Sequence, residues 1–512
     1  MTTTLAIAWL VTVLISGGVD RLAAPGVAPW RLRGVKPVVL HVSTVTWLFI
    51  LFLAPWGRAW FAMVCTVGLF GLLVAVNNAK VKALREPVVF SDLALFAQSI
   101  KHPRLYFPYL SWTQLVAVVP AVALFAVVFW FDSALSQISW VNLLLVWAAL
   151  FGFQMWLANG IRLTLNPAQD QARFGFFSTF VAYLLNGLSA REIRHVQTQL
   201  KASPYANIGI KTSDKSASSR ADLPDVVVVQ SESFFDIRKT GLSIAPDLLG
   251  HFDTLRQSSI CSGDFDVPAW GANTMRTEHA FLSGLQNSAL RYASFYPYAF
   301  IRRTVPSLPH AFGAMNYRCT AVHPYPSDFF LRRKVFPRLG FDAFVDEAAF
   351  ADAARNGPYV SDQAVTDWLI NILNQPTHEP QFLFAITMEN HGPLHLEKAT
   401  ALEASKLYER PNGQVIDDLT VYLRHLANAN QMLGRLQAFL AHRQRRTLLC
   451  FYGDHVPGME HVYEALESNP RHSDYLIWTN YETDGAHGLA LQSQCLTPEQ
   501  LGLKLARVAG VV

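Results

Sequence analysis

The sequence predicts a polytopic α-helical membrane domain of about five spans, followed by a soluble α/β domain with a largely parallel central sheet. Apolar runs recur through the N-terminal third, and a polar stretch between 197 and 224 separates them from the rest of the chain. Beyond that stretch, several short apolar segments end in polar residues, as the strands of a covered parallel sheet do. We therefore expect a membrane domain at 1–160, interfacial helices and a linker at 161–224, and a soluble domain at 225–512.

The membrane domain is predicted from apolar runs that approach the ~20 residues with which a helix crosses a bilayer. Many tryptophans flank these runs, as they do at the two interfaces of a membrane, so buried helices of a soluble core are a poor explanation. The first run has no basic residues before it, and we expect it to be retained rather than cleaved as a signal peptide. The runs are Leu5–Gly17, Pro37–Leu53, Trp60–Val76, Leu115–Phe131 and Trp140–Leu157.

The orientation of the membrane domain is ambiguous from charge alone. Basic residues lie after the first run, between Arg21 and Lys36, and after the third run, between Lys80 and Arg104. The preference of lysine and arginine for cytoplasmic loops would place these loops and, with five spans, the C-terminal domain in the cytoplasm. A sixth crossing by Phe174–Leu188 would reverse this, but the segment is short and its spacing suits an amphipathic helix in the interface.

Charge and cysteine usage exclude several classes of protein. The net charge of +4 is small for 512 residues and there is no long basic run, so a nucleic-acid partner is not expected. The five cysteines are scattered without CxxC spacing, and their odd number leaves at least one unpaired. Neither a zinc cluster nor a disulfide framework follows, while one disulfide among the last four cysteines stays open.

Polar residues follow the strand-like segments of the soluble domain. The run Val226–Val229 leads to Glu232, and four successive valines are typical of a strand covered on both faces. Helix candidates such as Pro246–Arg256 and Leu423–Leu440 alternate with these segments, which favours a parallel sheet. Such sheets bind ligands beyond the carboxyl ends of their strands, although Glu232 alone could be a surface residue in a turn. The other segments are Cys319–Val322 before His323, Phe382–Met388 before Glu389 and His391, and Thr447–Tyr452 before Asp454 and His455.

Glu232, Asp454 and His455 together predict a metal site. Two carboxylates and one imidazole suit Mn²⁺ or Mg²⁺ and tolerate Zn²⁺. Adjacent residues can both reach one ion only where the backbone turns, and Gly453 and Pro457 favour such a turn. The alternative is a turn aspartate beside a surface histidine.

Thr274 is the candidate nucleophile. The segment from Trp270 to Gly284 has a glycine-containing turn that enters a helix, with Asn273 or Thr274 as its N-cap. The positive end of a helix stabilises both an anionic phosphate and a developing alkoxide. Metal coordination can activate a threonine hydroxyl, which is otherwise a weak nucleophile. An ordinary N-cap is the alternative, and Thr277 is a rival that should be less available inside the first turn.

Four motifs follow the membrane runs in this order: Val-Gln-Ser-Glu232-Ser, Gly-Ala-Asn-Thr274-Met-Arg-Thr-Glu-His, Met-Glu-Asn-His391-Gly-Pro and Tyr-Gly-Asp454-His455-Val-Pro. Together they resemble the lipoteichoic acid synthase and phosphoglycerol transferase family of the alkaline phosphatase and sulfatase superfamily. The resemblance covers most of the chain and implies a sulfatase-like catalytic domain at 225–512. It also implies a membrane-anchored transferase that takes glycerol phosphate from phosphatidylglycerol, forms a phosphothreonine and releases diacylglycerol.

The resemblance implies roles for these residues. One divalent metal would be bound, with Mn²⁺ favoured over Mg²⁺ or Zn²⁺, and Thr274 would be both a ligand and the nucleophile. His391 would contact the phosphoryl group or assist proton transfer. The matching metal ligands are Glu232, Thr274, Asp454 and His455.

The segment from His323 to Arg332 resembles the part of the family that cradles glycerol phosphate. Phe330 stands where the family has a tryptophan, which changes the expected substrate contacts. The guanidinium of Arg332 can fork two phosphate oxygens, whereas the alternative for Arg332-Arg333-Lys334 is a solvated basic turn. The substrate-binding residues implied are His323, Phe329, Phe330, Arg332 and His391.

The family places its catalytic domain outside the bacterial cytoplasmic membrane, on the periplasmic side of an inner membrane. We follow it against the loop-charge argument, because the lipid donor and a glycan or polyglycerol phosphate acceptor meet on that face. No sugar-binding motif identifies the acceptor.

Three other functions are compatible with parts of the pattern. Phosphoethanolamine transfer on the same scaffold is the main alternative, since it also uses a threonine and one metal. Sulfate hydrolysis is disfavoured, because no Cys/Ser-x-Pro-x-Arg motif surrounds Thr274. A non-catalytic membrane receptor or assembly factor would not need the complete set of metal ligands.

Overall fold

The computed structural model describes residues 2–105, 112–135, 139–208, 223–409, 417–482 and 494–512. The chain divides into two compact units, Met1–Arg194 and His195–Val512. Of the polar stretch predicted at 197–224, residues 209–222 lie outside the described residues, and residues 197–201 belong to the helix Ala190–Lys201.

The first unit is helical, as its apolar composition requires, because a helix satisfies its backbone hydrogen bonds without water. Four helices among the described residues are long and apolar enough to cross a membrane: Thr3–Asp20, Val35–Trp56, Ala59–Leu84 and Trp140–Asn159. The remaining predicted span, Leu115–Phe131, falls on a 20-residue helix, but several of its side chains lie outside the described set, so that span stays a prediction. The helices are α1 (Thr2–Asp20), α2 (Val35–Trp56), α3 (Ala59–Leu84), α4 (Leu93–Lys101), α5 (Trp112–Phe131), α6 (Trp140–Asn159), α7 (Pro167–Phe174), α8 (Phe176–Gly187) and α9 (Ala190–Lys201).

A buried ion pair joins the elements at one end of this unit. Asp20, at the end of α1, pairs with Arg33, just before α2. The same carboxylate accepts a hydrogen bond from the backbone N–H of Phe177 at 3.0 Å, which caps the start of α8. Gly175 has a φ of +91°, and a Cβ there would overlap the Arg33 guanidinium. The phenylalanines of α8 pack against α1, α2 and α3 of the same unit, and its 12 residues are fewer than those of the four candidate spans.

The second unit is built on a seven-stranded sheet with the order β2-β11-β9-β1-β8-β4-β5. The strands β1, β4, β5, β8 and β9 are parallel, and β11 is antiparallel to both of its neighbours. The predicted α/β fold with a largely parallel sheet is confirmed. The strands are β1 (Asp225–Ser231), β2 (Cys261–Phe265), β3 (Trp270–Gly271), β4 (Arg318–Val322), β5 (Ala343–Val345), β6 (Arg355–Asn356), β7 (Tyr359–Val360), β8 (Gln381–Ile386), β9 (Thr447–Gly453), β10 (Val456–Pro457) and β11 (Ser473–Thr479).

Helices cover both faces of this sheet, which explains why β1 can be a run of valines. Val227 and Val229 lie in a core formed with leucines of the long helix α16, and each buried valine contributes about 1.5–3 kcal/mol. On the opposite face, the ring of Phe281 on α11 lies 4.9 Å from the ring of Tyr452. The helices of this unit are α10 (Gly250–Ser258), α11 (Thr274–Ser283), α12 (Leu308–Gly313), α13 (Arg332–Val335), α14 (Asp362–Asn374), α15 (Ala401–Leu407), α16 (Asp417–Ala441), α17 (Glu460–Ala465) and α18 (Pro498–Val508).

The polar residues singled out in the sequence follow strand ends at the same edge of the sheet. In the parallel register, Gln230 of β1 lies opposite Ile386 of β8 and Tyr452 of β9. The residues after these positions therefore leave the sheet side by side. The cysteines Cys261, Cys319, Cys450 and Cys495 are all free thiols, so the disulfide left open by the sequence is not formed.

Candidate metal centre

Three buried side chains converge where β1 and β9 end. Ligand atoms of Glu232, Asp454 and His455 all lie within 4.8 Å of one another. The Nε2 atom of His455 is 3.4 Å from Glu232 Oε1 and 3.5 Å from Asp454 Oδ2. A turn aspartate beside a surface histidine, the alternative considered from the sequence, does not describe this buried arrangement.

Neighbouring groups orient these side chains toward a common point. His455 Nδ1 lies 3.1 Å from the backbone oxygen of Val456, so it carries the proton that it donates there, and Nε2 keeps its lone pair. Ser233 donates its hydroxyl to Glu232 Oε1 at 3.0 Å and its backbone N–H to Asp454 Oδ1 at 2.8 Å. Among the described residues, Asp454 Oδ2 and His455 Nε2 have no hydrogen-bond partner.

This donor set fits a divalent cation. Burial, followed by the nearby Asp454 carboxylate, raises the pKa of Glu232 to about 8. A bound cation would offset that repulsion and would satisfy the two unpartnered atoms, whose burial otherwise costs about 1–3 kcal/mol each. Two carboxylate oxygens and one imidazole nitrogen suit a metal of the Mn²⁺, Mg²⁺ or Zn²⁺ type.

Thr274 is the first residue of α11, and Asn273 is its N-cap with a left-handed φ of 66°. A short parallel pairing brings this segment to the centre, because Trp270 lies opposite Val456, the residue after His455. One turn into the helix, Thr277 Oγ1 donates a hydrogen bond of 2.7 Å to the backbone oxygen of Asp454. Thr277 is therefore engaged in fixing the helix, while Thr274 lies at its N-terminus.

Arg332 is fully buried beside Glu278 of α11. Its Nε and Nη2 atoms lie 3.2 and 2.8 Å from the two carboxylate oxygens of Glu278. The solvated basic turn is thus wrong for Arg332, although Arg333 and Lys334 are exposed. The fork expected to hold two phosphate oxygens is already occupied by Glu278, and only Nη1 has no partner among the described residues.

The remaining predicted substrate residues surround Arg332. His323 Nδ1 lies 3.2 Å from the backbone oxygen of Ile386, while Nε2 has no partner among the described residues. Burial and then the charge of Arg332 lower the pKa of His323 well below its usual range, so the ring is neutral and Nε2 is an acceptor. The ring of Phe330 lies 5.3 Å from the Arg332 guanidinium and 4.1 Å from the ring of Phe329.

His391 is presented by the loop that follows β8. Its Nδ1 atom is 2.7 Å from the backbone oxygen of Gly392, so the proton is on Nδ1 and Nε2 is free to accept one. Burial lowers the pKa of His391, which favours the neutral base. The ring packs edge-on against Tyr359 at 5.7 Å.

Strained backbone lies next to each part of this centre. Ser233 follows Glu232 with a φ of 54°, and Phe330 and Leu331 precede Arg332 with φ values of 53° and 63°. Non-glycine residues in this region cost about 1–3 kcal/mol each and tend to occur at functional sites. The fold therefore maintains these conformations at the expense of stability.

Several residues at the site were not identified from the sequence. Glu278 is part of the Thr-Glu-His motif quoted above. Its ion pair with Arg332, 54 positions away, could not be predicted from the residues around either one. Ser233, which donates hydrogen bonds to Glu232 and Asp454, was also not singled out. Asn390 is buried next to His391, and both atoms of its amide lack a partner among the described residues.

Comparison with known proteins agrees with this architecture. The chain is 27% identical over 461 residues to the capsular polysaccharide biosynthesis protein RkpI of Rhizobium meliloti (strain 1021), a match that covers 85% of this chain and 80% of that protein. It is 29% identical over 245 residues to a putative cyclic beta-1,2-glucan modification protein of the same organism, which covers 47% of this chain and 37% of that protein.

Among solved structures, the fold is similar to that of the lipooligosaccharide phosphoethanolamine transferase A of Neisseria meningitidis. The TM-score is 0.57 at 13% identity, and the match covers 99% of this chain and 95% of that chain. The family model described as Sulfatase matches residues 224–498, more than half of the chain. The chain therefore belongs to the sulfatase family, within the alkaline phosphatase superfamily.

Proposed function

We propose that this protein is a membrane-anchored, metal-dependent phosphotransferase that moves glycerol phosphate from phosphatidylglycerol to a glycan through a covalent intermediate on Thr274. The observation that carries the proposal is the buried group of Glu232, Asp454 and His455 beside the N-terminus of the helix that Thr274 begins. The apolar helices of the first unit would keep the enzyme in the same bilayer as its lipid donor. The proposed location is the bacterial inner membrane, with the catalytic domain on the periplasmic side.

The proposed metal ligands are Glu232, Asp454 and His455, with Thr274 as the fourth. A divalent cation there supplies charge that favours the threonine alkoxide and the non-bridging phosphoryl oxygens. The helix N-terminus adds to the same effect on Thr274.

The transfer then takes place in two displacements. The Thr274 oxygen bonds to phosphorus and its proton passes to the free Nε2 of His391, while the bond from phosphorus to the diacylglycerol oxygen breaks and that oxygen takes the proton from His391. In the second displacement the acceptor hydroxyl gives its proton to His391, its oxygen bonds to phosphorus, and the Thr274 oxygen leaves and takes that proton, which restores the threonine. Arg332 Nη1 is the remaining guanidinium donor for a phosphoryl oxygen.

The unpartnered Nε2 atom of the neutral His323 ring supports a glycerol headgroup. A neutral Nε2 acceptor requires a donor on the ligand, and a glycerol hydroxyl provides one. The ammonium group of an ethanolamine headgroup would instead favour a nearby carboxylate. The carboxylate of Glu278 already accepts hydrogen bonds from Arg332, from the hydroxyl of Tyr298 at 2.5 Å and from Gln230 at 3.3 Å. The names of the two curated relatives concern a capsular polysaccharide and a glucan, which supports a glycan acceptor.

The test uses purified full-length protein in vesicles that contain either phosphatidylglycerol or phosphatidylethanolamine with labelled headgroups. Mass spectrometry of Thr274 should find glycerol phosphate with the first lipid, and diacylglycerol should be released. Thr274→Ala should abolish both signals, whereas Thr254→Ala, which changes an exposed threonine on α10, should leave them unchanged. An adduct formed only from phosphatidylethanolamine would reject the proposed donor, and undiminished diacylglycerol release by Thr274→Ala would reject the mechanism.

A further inference from the structure

A buried acidic side chain anchors the first part of the loop that presents His391. Glu389 lies two residues before His391 and is almost completely buried. Its Oε2 accepts the backbone N–H of Asp362, the first residue of α14, at 2.7 Å. Its Oε1 accepts from Asn356 at 2.9 Å and from Asn428 of α16. These groups orient Glu389 but do not neutralise its charge.

A second carboxylate anchors the other end of the loop. Glu397 accepts from Arg424 Nη2 at 2.6 Å, and Arg424 also pairs with Glu403 at 3.0 Å. Gly357, in the turn between β6 and β7, has a φ of +62°, and a Cβ there would lie 2.6 Å from Glu397. The loop from Glu389 to Glu397 is thus enclosed between this turn and α16.

The ring of His425 joins the two ends. Its Nδ1 atom is 3.0 Å from Glu389 Oε1, and its Nε2 atom is 3.2 Å from Glu397 Oε2. A carboxylate can only accept hydrogen bonds, so both ring nitrogens must carry protons for both bonds to form. The observed geometry therefore corresponds to an imidazolium, which is buried between two opposite charges.

The two carboxylates that flank this ring favour the protonated form. Glu389 and Glu397 face it from the loop, and Arg424 is next to it on α16. Burial, and then the Glu389 carboxylate, raise the pKa of Asp362 well above its usual range. Burial opposes the charge on His425, but the hydrogen bonds to Glu389 and Glu397 outweigh it and raise the pKa of His425.

We propose that His425 is a positioning residue, which as an imidazolium holds together the two ends of the loop Glu389–Glu397 and thereby fixes His391 over the metal centre. Loss of the proton removes one of the two hydrogen bonds and leaves the buried Glu389 and the partly buried Glu397 without the intervening charge. The loop then opens more often. The catalytic consequence rests on the proposed function, whereas the effect on the loop does not.

The pH dependence has a definite sign. Because the pKa of His425 is raised in the folded protein, its contribution is fully present below the usual histidine value of about 6.5 and is lost as the pH rises through the higher folded value. Protection of the loop should therefore decrease toward alkaline pH.

Hydrogen–deuterium exchange of the full-length protein tests this directly, through peptides that cover 388–397, from about pH 5.5 to about pH 9. Exchange is corrected for its intrinsic rate at each pH. The wild type should lose protection with rising pH, and His425→Gln should be about tenfold less protected at the acidic end, since it loses a hydrogen bond to a charged group, and insensitive to pH. His461→Gln is the matched control, because this histidine is 57% exposed and pairs with Asp418 on the surface.

Glu397→Gln provides a second test that retains the ring and the shape of the loop. With one carboxylate removed, the transition should move to lower pH. Wild-type protection in His425→Gln, a flat wild-type profile, or an unmoved transition in Glu397→Gln would overturn the proposal.

Enzyme kinetics separate this idea from the proposed function. If diacylglycerol is released, kcat should fall over the same pH range as loop protection, with a smaller change in KM for phosphatidylglycerol. His425→Gln should have a lower kcat, and its kcat should no longer fall over this pH range. If the wild type releases no diacylglycerol, the proposed function fails, and the exchange experiment still decides the role of His425.

Discussion

Arg332 and Glu278 form a bidentate ion pair in which both side chains are buried, with 1% and 0% of their side-chain surface exposed. The pair holds the guanidinium at fixed orientation and leaves Nη1 for a ligand. Breaking a buried pair by removing one partner typically costs about 3–5 kcal/mol, because the other charge stays buried without compensation. This pair therefore couples the stability of the second unit to the geometry of the candidate site.

Glu278→Gln should destabilise the folded protein by about 3–5 kcal/mol and strongly reduce activity, since Arg332 loses its counter-charge. Thermal unfolding of the purified protein and diacylglycerol release measure the two effects. Glu464→Gln, which changes an exposed glutamate, is the control and should behave as wild type. An unchanged melting temperature in Glu278→Gln would contradict the buried pair.

Replacing both partners should separate stability from activity. In Glu278→Leu with Arg332→Met, no charge is left unpaired, and such replacements are often neutral or stabilising. We expect the double variant to melt closer to wild type than Glu278→Gln does, but to remain inactive. Activity in the double variant would show that Arg332 does not contact the substrate.

Thr274→Ser should retain the covalent pathway, because serine presents a hydroxyl at the same helix N-terminus. We expect reduced turnover and a headgroup adduct on the new serine by mass spectrometry. The missing methyl group leaves the hydroxyl with more rotamers in a buried position, which explains the loss of rate. An inactive Ser variant with an intact fold would argue against a simple hydroxyl nucleophile.

Metal removal should lower the melting temperature, and the effect should grow with pH. Burial and Asp454 raise the pKa of Glu232 to about 8 when no cation compensates. Linkage between protonation and folding gives the sign. Because the pKa of Glu232 is higher in the folded protein than in the unfolded chain, where it is about 4.3, its contribution to stability is fully present below pH 4.3 and is lost as the pH rises toward 8. The metal-free protein should therefore weaken over this range, while added Mn²⁺ should raise the melting temperature most near pH 8.

The matched variant for this prediction is Glu232→Gln, which has no carboxyl group to titrate. It should show a smaller pH dependence without metal and a smaller response to Mn²⁺. A response equal to that of the wild type would mean that the cation binds elsewhere.

Arg33→Gln should destabilise the membrane unit, because it leaves the buried Asp20 carboxylate without its partner. Arg31→Gln is the natural control, since Arg31 is exposed in the same short segment. Unfolding in detergent micelles and expression level compare the two. Equal behaviour would show that the ion pair does not contribute to the fold.

The sequence by itself determined the elements whose signals are local. Apolar length predicts helices that cross a membrane, and the run Val226–Val229 predicts a strand covered on both faces, because the solvent preference of each side chain is independent of its distant partners. Asp454 and His455 are neighbours in the sequence, so their proximity was evident. Because parallel strands present their carboxyl ends at one edge of the sheet, Glu232 was predicted at that same edge.

Only the tertiary structure decided which charges meet. Arg332 and Glu278 are 54 positions apart, and His425 and Glu389 are 36 apart, so no pattern of spacing pairs them. The energy of a charge inside a protein depends on the partners and burial that folding supplies, and these belong to the whole chain rather than to any segment. From the sequence, Arg332 was therefore predicted to bind two phosphate oxygens, whereas in the structure its Nε and Nη2 atoms bind Glu278.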